Sequence, residues 1–136
     1  MAKLHQNNRF DLDLYGNDLY GWEKEKSKLV VFSLAEQILR GANIPLVDVY
    51  QRKDRVFELA SPNGGHNRAA AYLILKRPLP VRIVENPLDE LLTFNLRDIR
   101  LVENHLVPEQ DRLEYRMKND SRYIPFSGSQ LLKIFI

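Results

Sequence analysis

The chain has 136 residues, of which 44% are hydrophobic and 28% charged, with a formal net charge of +2 at pH 7. These values predict one compact domain that buries its own core without metals or cross-links. The absence of cysteine excludes disulfides and thiol chemistry and fits a cytoplasmic protein. No apolar run approaches the roughly 18 residues of a membrane helix, and no hydrophobic signal region follows Met1, so we expect neither membrane association nor export.

The first predicted element is a strand. Apolar residues alternate with polar ones over 10–14, a period of two that is typical of a strand with one face in water, and residues 16–18 (Gly-Asn-Asp) indicate a turn. Asp11 and Asp13 lie on the polar face. A pair of carboxylates can hold Mg²⁺, although a solvated strand edge, which needs no function, is the favoured interpretation.

A helix is predicted next. Residues 28–32 (Lys-Leu-Val-Val-Phe) fit either a short buried strand or the start of a helix. Ser33 and Glu36 have the spacing of a capping box, and Gly41 stands where a helix C-cap is expected. The pattern therefore predicts a helix over 34–40, with Ser33 as its N-cap.

The central part of the chain, 44–85, predicts strand, turn, strand, helix and strand. Residues 44–50 and 56–60 are apolar and β-branched, and the polar residues 51–54 separate them. The helical run that follows ends before Pro78, because a residue that precedes proline is pushed out of the helical region. Residues 81–84 then predict another strand.

A glycine turn leads into that helix and forms a candidate anion site. Two glycines can adopt positive φ and leave room for a ligand, and the first amides of the helix have no intrahelical acceptor, so a phosphate is favoured there. An arginine in the first turn adds donors that match phosphate oxygens. A turn without a ligand is the alternative. The candidate phosphate-binding residues are Asn63, Gly64, Gly65, His66, Asn67 and Arg68.

Two residues are candidate catalytic groups. Glu58 lies near the end of the strand that leads to the glycine turn, and we expect it to converge with His66 on the same end of the sheet. Histidine titrates near neutrality and can act as acid or base. The alternatives are a cross-strand ion pair for Glu58 and a plain turn histidine for His66.

Basic residues are concentrated in the central region. Residues 51–85 hold seven basic and three acidic groups, which suits a polyanionic ligand such as DNA, whereas a solvated surface is the alternative. The basic residues are Arg52, Lys53, Arg55, Arg68, Lys76, Arg77 and Arg82.

A further helix is predicted after the last of these strands. Asn86 and Pro87 fit an N-cap and the first helical position. Leu88, Leu91 and Leu92 then follow at helical spacing and predict a core stripe.

Near the end of the chain, residues 109–118 predict a surface helix that is anchored by Leu113 and Met117. Residues 131–136 (Leu-Leu-Lys-Ile-Phe-Ile) predict a strand too apolar to remain exposed. We expect it to pair with the sheet or to form a homodimer.

Residues 44–85 together resemble the ParB/sulfiredoxin superfamily. Its members carry an Ile-Pro-x-x-x-Val strand, as in Ile44 to Val49 here, then a strand that ends in Gly-x-x-Arg, and an alanine-rich helix. The turn reads Gly-Cys-His-Arg in sulfiredoxins and Gly-Glu-Arg-Arg in ParB-type partition proteins, and here it reads Gly65-His66-Asn67-Arg68. The resemblance to sulfiredoxins implies their fold. Their thiol chemistry is excluded because this chain has no cysteine.

The resemblance implies an α/β (α+β) single domain with a small mixed sheet and packed helices. It implies a nucleotide ligand (ATP, ADP or CTP), with Mg²⁺ as a candidate partner, whose phosphates contact the glycine and arginine of the turn. Family activities include CTP-dependent DNA clamps, free-serine kinases and nuclease-like members. The sequence therefore predicts a nucleotide-phosphate-binding domain in a DNA-associated or phosphoryl-transferring setting; a nuclease and a non-catalytic DNA- or partner-binding module are the alternatives.

Overall fold

The computed structural model describes residues 9–60, 65–85, 87 and 89–127, and these residues form a mixed α/β fold, as the sequence predicted. The described α-helices are α1 (Lys28–Leu39), α2 (His66–Leu75) and α3 (Leu113–Asn119). Short 3-10 helices cover Leu96–Asp98, Asn104–Leu106 and Glu109–Asp111. The finer ParB/sulfiredoxin assignment stays a prediction.

The strands form two sheets. The larger sheet has the order β1-β6-β4-β5-β2-β7, and the smaller one pairs β3 with β8. The strands are β1 (Arg9–Leu12), β2 (Asp18–Gly21), β3 (Glu25–Ser27), β4 (Val47–Lys53), β5 (Val56–Leu59), β6 (Leu79–Ile83), β7 (Phe94–Asn95) and β8 (Arg100–Val102). Parallel pairing joins β4 to β6 and β2 to β5, whereas β4 and β5 are antiparallel, so the larger sheet is mixed.

These strand directions bring three chain segments to one end of the larger sheet. Because β5 runs antiparallel to β4 and parallel to β2, both β2 and β5 finish where β4 begins. We call this end, marked by Gly21, Leu59 and Val47, the site edge. The segment after β2 leaves the sheet here, and the start of α2 lies beside it, since Gly65 approaches Val47 and Leu59 and His66 approaches Gly21.

Helix α1 begins six residues before the predicted start. Its N-cap is Ser27, whose Oγ accepts a hydrogen bond from the Val30 amide at 3.3 Å and donates one to Oδ1 of Asn104 at 2.7 Å. Ser33 is therefore not a cap; it is buried inside the helix and bonds the backbone of Ile124. Residues 28–32 form the first turns of α1. Gly41, with φ of 82°, follows the helix end as predicted.

Glu36 also differs from its predicted capping role. Its side chain is nearly buried, and Oε1 accepts a hydrogen bond from Nη2 of Arg40 at 2.9 Å. Oε2 accepts another from the Ser127 amide at 3.2 Å. Ser33 and Glu36 thus attach the end of the described chain to α1, a connection across some 90 residues of sequence.

Helix α2 is covered on several sides. Three consecutive alanines, residues 69–71, are all buried, although successive helical residues point in directions about 100° apart. Small side chains are needed here because α1 and the larger sheet both pack against this helix. The helix ends at Leu75 with Lys76 in the left-handed region, just before Pro78 as predicted.

Two predictions for the last third of the chain need correction. Of residues 87 and 89–93, none is helical, and Leu91 is 41% exposed instead of lying in a core stripe. The predicted helix over 109–118 is split into a 3-10 turn and α3; Leu113 is buried as expected, whereas Met117 is exposed. The predicted strand over 131–136 and its dimer contact lie outside the described residues.

Candidate functional site

A polar pocket of about 310 Å³ opens at the site edge, in front of the first turn of α2. We call it the basic pocket. Its walls are Trp22, Glu23 and Lys26 from the segment after β2, Gly65, His66, Asn67 and Arg68 from the start of α2, and Arg116, Arg122 and Tyr123 from α3 and the turn that follows. Four of the six predicted phosphate-binding residues thus line one cavity. Asn63 and Gly64 lie outside the described residues.

Gly65 sets the approach of α2 to the sheet. It is the N-cap, with φ of 117° and no side-chain capping bond, a conformation that favours glycine. A Cβ at this position would lie 2.7 Å from Cγ1 of Val47 and 3.3 Å from Cδ2 of Leu59. Because residue 65 has no side chain, the start of α2 can pack directly on β4 and β5.

His66 holds the pocket wall together. Its side chain is buried, and its Nε2 accepts hydrogen bonds from the amides of Trp22 and Glu23, both at 3.1 Å. Because Nε2 is an acceptor, the ring proton resides on Nδ1. With its acceptor nitrogen occupied by two amides, His66 positions the segment after β2, which does not support the acid or base role expected from the sequence.

Glu23 is the carboxylate that the pocket contains, and sequence patterns did not single it out. Its Oε1 lies 3.0 Å from Nδ1 of His66 and 3.2 Å from Nζ of Lys26. The His66 contact is short but outside standard hydrogen-bond geometry. The His66 proton, together with the Lys26 charge, lowers the pKa of Glu23 from 4.5 to about 2 against the opposing effect of burial. The alternating charges over 23–26 resemble a solvated surface, so spacing alone gave no signal.

Lys26 links two walls of the pocket. Its side chain is only 1% exposed, and Nζ also lies 3.7 Å from Oδ1 of Asp111. Asp111 in turn accepts a hydrogen bond from Nη2 of Arg116 at 3.3 Å. A buried ammonium between two carboxylates is compensated, and this chain of charges fixes α3 relative to the segment after β2.

Arg68 lines the pocket as predicted, but part of its guanidinium group has a structural role. Nη1 donates to the carbonyls of Pro45 at 3.3 Å and Leu46 at 2.9 Å, just before β4. Burial, and then the charge of Arg122, lower the pKa of Arg68. Arg68 therefore places positive charge in the pocket while it fastens α2 to the start of β4.

Two further arginines line the pocket: Arg116, from the helix that the sequence placed on the surface, and Arg122, for which the sequence made no prediction. The guanidinium groups of Arg116 and Arg122 lie 5.7 Å and 5.9 Å from the ring centre of Tyr123, whose hydroxyl pKa is raised by burial. Arg122 pairs with Asp120 and lowers the pKa of that carboxyl. The aromatic ring and the paired carboxylate hold both arginines against the pocket.

Cations outnumber carboxylates in the basic pocket. Four of its ten lining residues are Lys or Arg and one is Glu. Three buried polar atoms of lining residues, Nδ1 of His66, Oδ1 of Asn67 and Nε of Arg116, lack a hydrogen-bond partner of standard geometry among the described residues. Buried polar groups are nearly always satisfied, so a polar ligand or water is expected to complete these bonds. The arrangement is suited to an anion with several oxygens.

Glu58, the other predicted catalytic group, does not line the basic pocket. Its side chain is fully buried; Oε1 accepts a hydrogen bond from Nη2 of Arg52 at 2.7 Å, and Oε2 accepts one from the Leu92 amide at 3.1 Å. The cross-strand ion pair, offered as the alternative, is confirmed. The predicted convergence of Glu58 with His66 is wrong, since Glu58 instead anchors residues 89–93 to the sheet.

The basic residues of 51–85 are not gathered on one surface. Lys53 is the last residue of β4 and Arg55 follows that strand, whereas Lys76 and Arg77 precede the N-terminal end of the parallel strand β6 and so lie at the opposite end of the sheet. Arg52 and Arg82 pair with Glu58 and Asp48. DNA binding by a patch in this region stays a prediction without added support.

The carboxylates proposed for Mg²⁺ lie away from the pocket. Asp11 and Asp13 are exposed, and Oδ1 of Asp13 accepts a hydrogen bond from the Tyr15 amide at 2.9 Å, which stabilises the turn after β1. Within the described residues, no three His, Asp or Glu side chains are grouped as metal ligands. A metal bound by these side chains stays a prediction.

Comparisons with protein-family models, curated proteins and solved structures found no match. Among the described helices, none is long and apolar enough to cross a membrane.

The lowered pKa of Glu23 predicts a specific pH dependence of stability. A carboxyl whose folded pKa lies below its unfolded value stabilises the fold above the unfolded pKa and loses that contribution as pH falls through the folded one. We expect the free energy of unfolding to drop between pH 4.5 and about 2 more steeply in the parent than in Glu23→Gln. Urea denaturation across that range measures the difference.

Glu25→Gln is the matched control, because Glu25 forms an exposed pair with Arg100. Exposed pairs contribute little, so its curve should follow the parent. Parallel curves for the parent and Glu23→Gln would show that His66 and Lys26 do not hold Glu23 ionised in solution.

Proposed function

We propose that this domain binds a nucleotide, such as ATP, ADP or CTP, with its phosphates in the basic pocket. The observation that carries the proposal is the pocket itself: the amide end of α2 faces a cavity that also receives three guanidinium groups and an ammonium group. A helix N-terminus favours negative charge, and guanidinium groups form charge-assisted hydrogen bonds with phosphate oxygens. The resemblance of 63–68 to a phosphate-contacting turn supports the same ligand class.

The pocket favours binding over phosphoryl transfer through a protein base. A general base works best when its pKa lies near the operating pH. Glu23, with a pKa of about 2, accepts a proton poorly, and the Nε2 atom of His66 already accepts two amides. We therefore propose that Glu23 orients a ligand hydroxyl or a water as a hydrogen-bond acceptor, and that the protein acts as a nucleotide-binding module.

Arg116 offers the sharper test of the phosphate site, because Arg68 also holds Pro45 and Leu46. Replacing Arg116 with Gln is expected to weaken nucleotide binding about 10- to 150-fold, which corresponds to the roughly 1.5–3 kcal/mol of a hydrogen bond to a charged group. Asp111 keeps its contact with Lys26 in this variant, so the fold should persist. Calorimetric titration of ATP, ADP and CTP, with and without Mg²⁺, gives the affinities.

Arg82→Gln is the matched control. Arg82 pairs with Asp48 through its side chain, which is 54% exposed, and does not line the basic pocket. Its loss removes the same charge from the protein without touching the site. If both variants bind as tightly as the parent, or if the parent binds no nucleotide at millimolar concentration, the proposed function is wrong.

A further inference from the structure

Trp22 lies between the basic pocket and a second cavity. The second cavity, about 670 Å³ in volume, is lined by Trp22 together with Lys24 and residues 89–94, and we call it the loop cavity. Because Trp22 also lines the basic pocket, a molecule that reaches from one cavity into the other passes this residue.

The indole ring is held in place yet remains accessible. Trp22 is 43% exposed, and its ring meets the His66 ring edge to face at 4.4 Å, with an interplanar angle of 84°. The Trp22 amide donates to Nε2 of the same histidine at 3.1 Å. One buried residue therefore fixes both the backbone and the ring of Trp22, and an exposed large aromatic held in this way is prepared for stacking.

The two cavities differ in charge in the same way as the phosphates and the base of a nucleotide. Cations dominate the basic pocket, whereas the loop cavity carries Lys24 against Asp89 and Glu90 and adds the apolar side chains of Leu92 and Phe94. Phosphates are unsuited to the loop cavity because its carboxylates repel them. A neutral ring with N–H or O–H donors fits it, since the ring can pack on apolar groups while the carboxylates accept hydrogen bonds.

The wall of the loop cavity is attached to the sheet. The Leu92 amide donates to Oε2 of Glu58 at 3.1 Å, and Nη2 of Arg52 donates to the Glu90 carbonyl at 3.0 Å. The buried Arg52–Glu58 pair thus holds Glu90 and Leu92 of this wall. Glu58, which looked catalytic from the sequence, acts here as a positioning residue for the cavity.

We infer that the ligand of the basic pocket is a nucleoside phosphate whose base stacks on Trp22 and occupies the loop cavity. This inference rests on the proposed phosphate site and adds a site for the base of the nucleotide. Base–aromatic stacking is tolerant of base identity, so Trp22 is expected to select for a flat ring, and the donors facing Asp89 and Glu90 to discriminate among bases.

The chain contains a single tryptophan, so its fluorescence reports on this residue alone. Nucleotides are expected to quench the emission of the unmodified protein after correction for their absorption. Inorganic pyrophosphate and ribose 5-phosphate should bind the basic pocket without that quenching, and at least tenfold more weakly. Equal affinity for nucleotides and pyrophosphate, with no nucleotide-specific quenching, would overturn the stacking inference and leave the phosphate site standing.

Variants of Trp22 give an independent measurement by calorimetry. Trp22→Ala should weaken nucleotide binding about 5- to 150-fold, the range that stacking on one aromatic side chain provides, and should weaken pyrophosphate binding by a smaller factor, because pyrophosphate has no ring to stack on the indole. Trp22→Tyr keeps an aromatic face and should recover most of the loss. Parent affinity for nucleotides in Trp22→Ala would also reject the inference. If neither pyrophosphate nor nucleotides bind the parent, the proposed function itself fails.

Discussion

Replacing Arg52 with Met is expected to destabilise the domain by about 3–5 kcal/mol, which is the cost of breaking a buried ion pair by removing one partner. Glu58 has a side chain with 0% exposure, and Oε1 lies 2.7 Å from the Arg52 guanidinium group. Without Arg52, a carboxylate remains in the sheet, and among the described residues only the Leu92 amide still donates to it. Denaturant unfolding, followed by circular dichroism, measures the loss.

The double variant Arg52→Met/Glu58→Met distinguishes the cost of an unpaired buried carboxylate from the cost of lost packing. Removing both charged groups leaves no uncompensated carboxylate, so the double variant should recover most of the stability that the single variant loses. Arg82→Gln serves again as the control, because its pair with Asp48 is partly exposed and should cost less than about 1 kcal/mol. A loss of that small size for Arg52→Met would show that the Arg52–Glu58 pair is solvated in solution.

The local patterns around Glu58 predicted the sheet well. Apolar and β-branched residues located β4 and β5, because strand composition is a property of a few neighbouring residues. The polar link predicted over 51–54 is shorter, since β4 continues through residues 51–53 and the turn is formed by 54 and 55. The ion pair itself was foreseeable as an alternative, since Arg52 and Glu58 lie on adjacent strands of one hairpin. The contact of Glu58 with Leu92 was not, because it joins residues that are 34 positions apart.

At the start of α1, the capping-box spacing led to a wrong prediction of the first helical residue. Ser33 and Glu36 have the spacing of a capping box, but the apolar run that precedes Ser33 continues the helix back to Ser27. Tertiary contacts decide between the two serines: Ser27 lies where β3 ends and bonds Asn104, and Ser33 is needed inside the helix to bond Ile124. Neither partner is visible in a window of a few residues.

The candidate site divides in the same way. Gly65, His66, Asn67 and Arg68 were predicted together because the chemistry of a glycine turn before a helix is local. The other half of the basic pocket comes from the segment after β2, from α3 and from the turn that follows it. These segments are held by the parallel pairing of β2 with β5 and by the contacts of α1 with Ile124 and Ser127. Residues such as Glu23 and Arg116 look like ordinary surface charges until those long-range contacts are known.

Gly65→Ala is expected to destabilise the domain by about 2–5 kcal/mol and to disturb the basic pocket. A non-glycine residue in the left-handed region costs about 1–2 kcal/mol, and overpacking of a tight contact adds about 1–3 kcal/mol. Both apply here, since φ is 117° and the new Cβ would approach Val47 to 2.7 Å. The start of α2 must then move away from β4, which also shifts His66. Denaturant unfolding gives the stability change, and nucleotide titration gives the effect on the site.

Gly41→Ala isolates the backbone component of this effect. Gly41 also has a positive φ, of 82°, but apart from its chain neighbours no atom of the part of the chain that the structure describes lies within 4 Å of the position its Cβ would take. Only the conformational cost applies, so we expect a loss of about 1–2 kcal/mol and unchanged ligand binding. The difference between the two variants measures the close approach of α2 to β4. Equal losses in stability, with the ligand affinity of Gly65→Ala unchanged, would mean that the helix start is not packed against Val47 and that the turn does not set the geometry of the basic pocket.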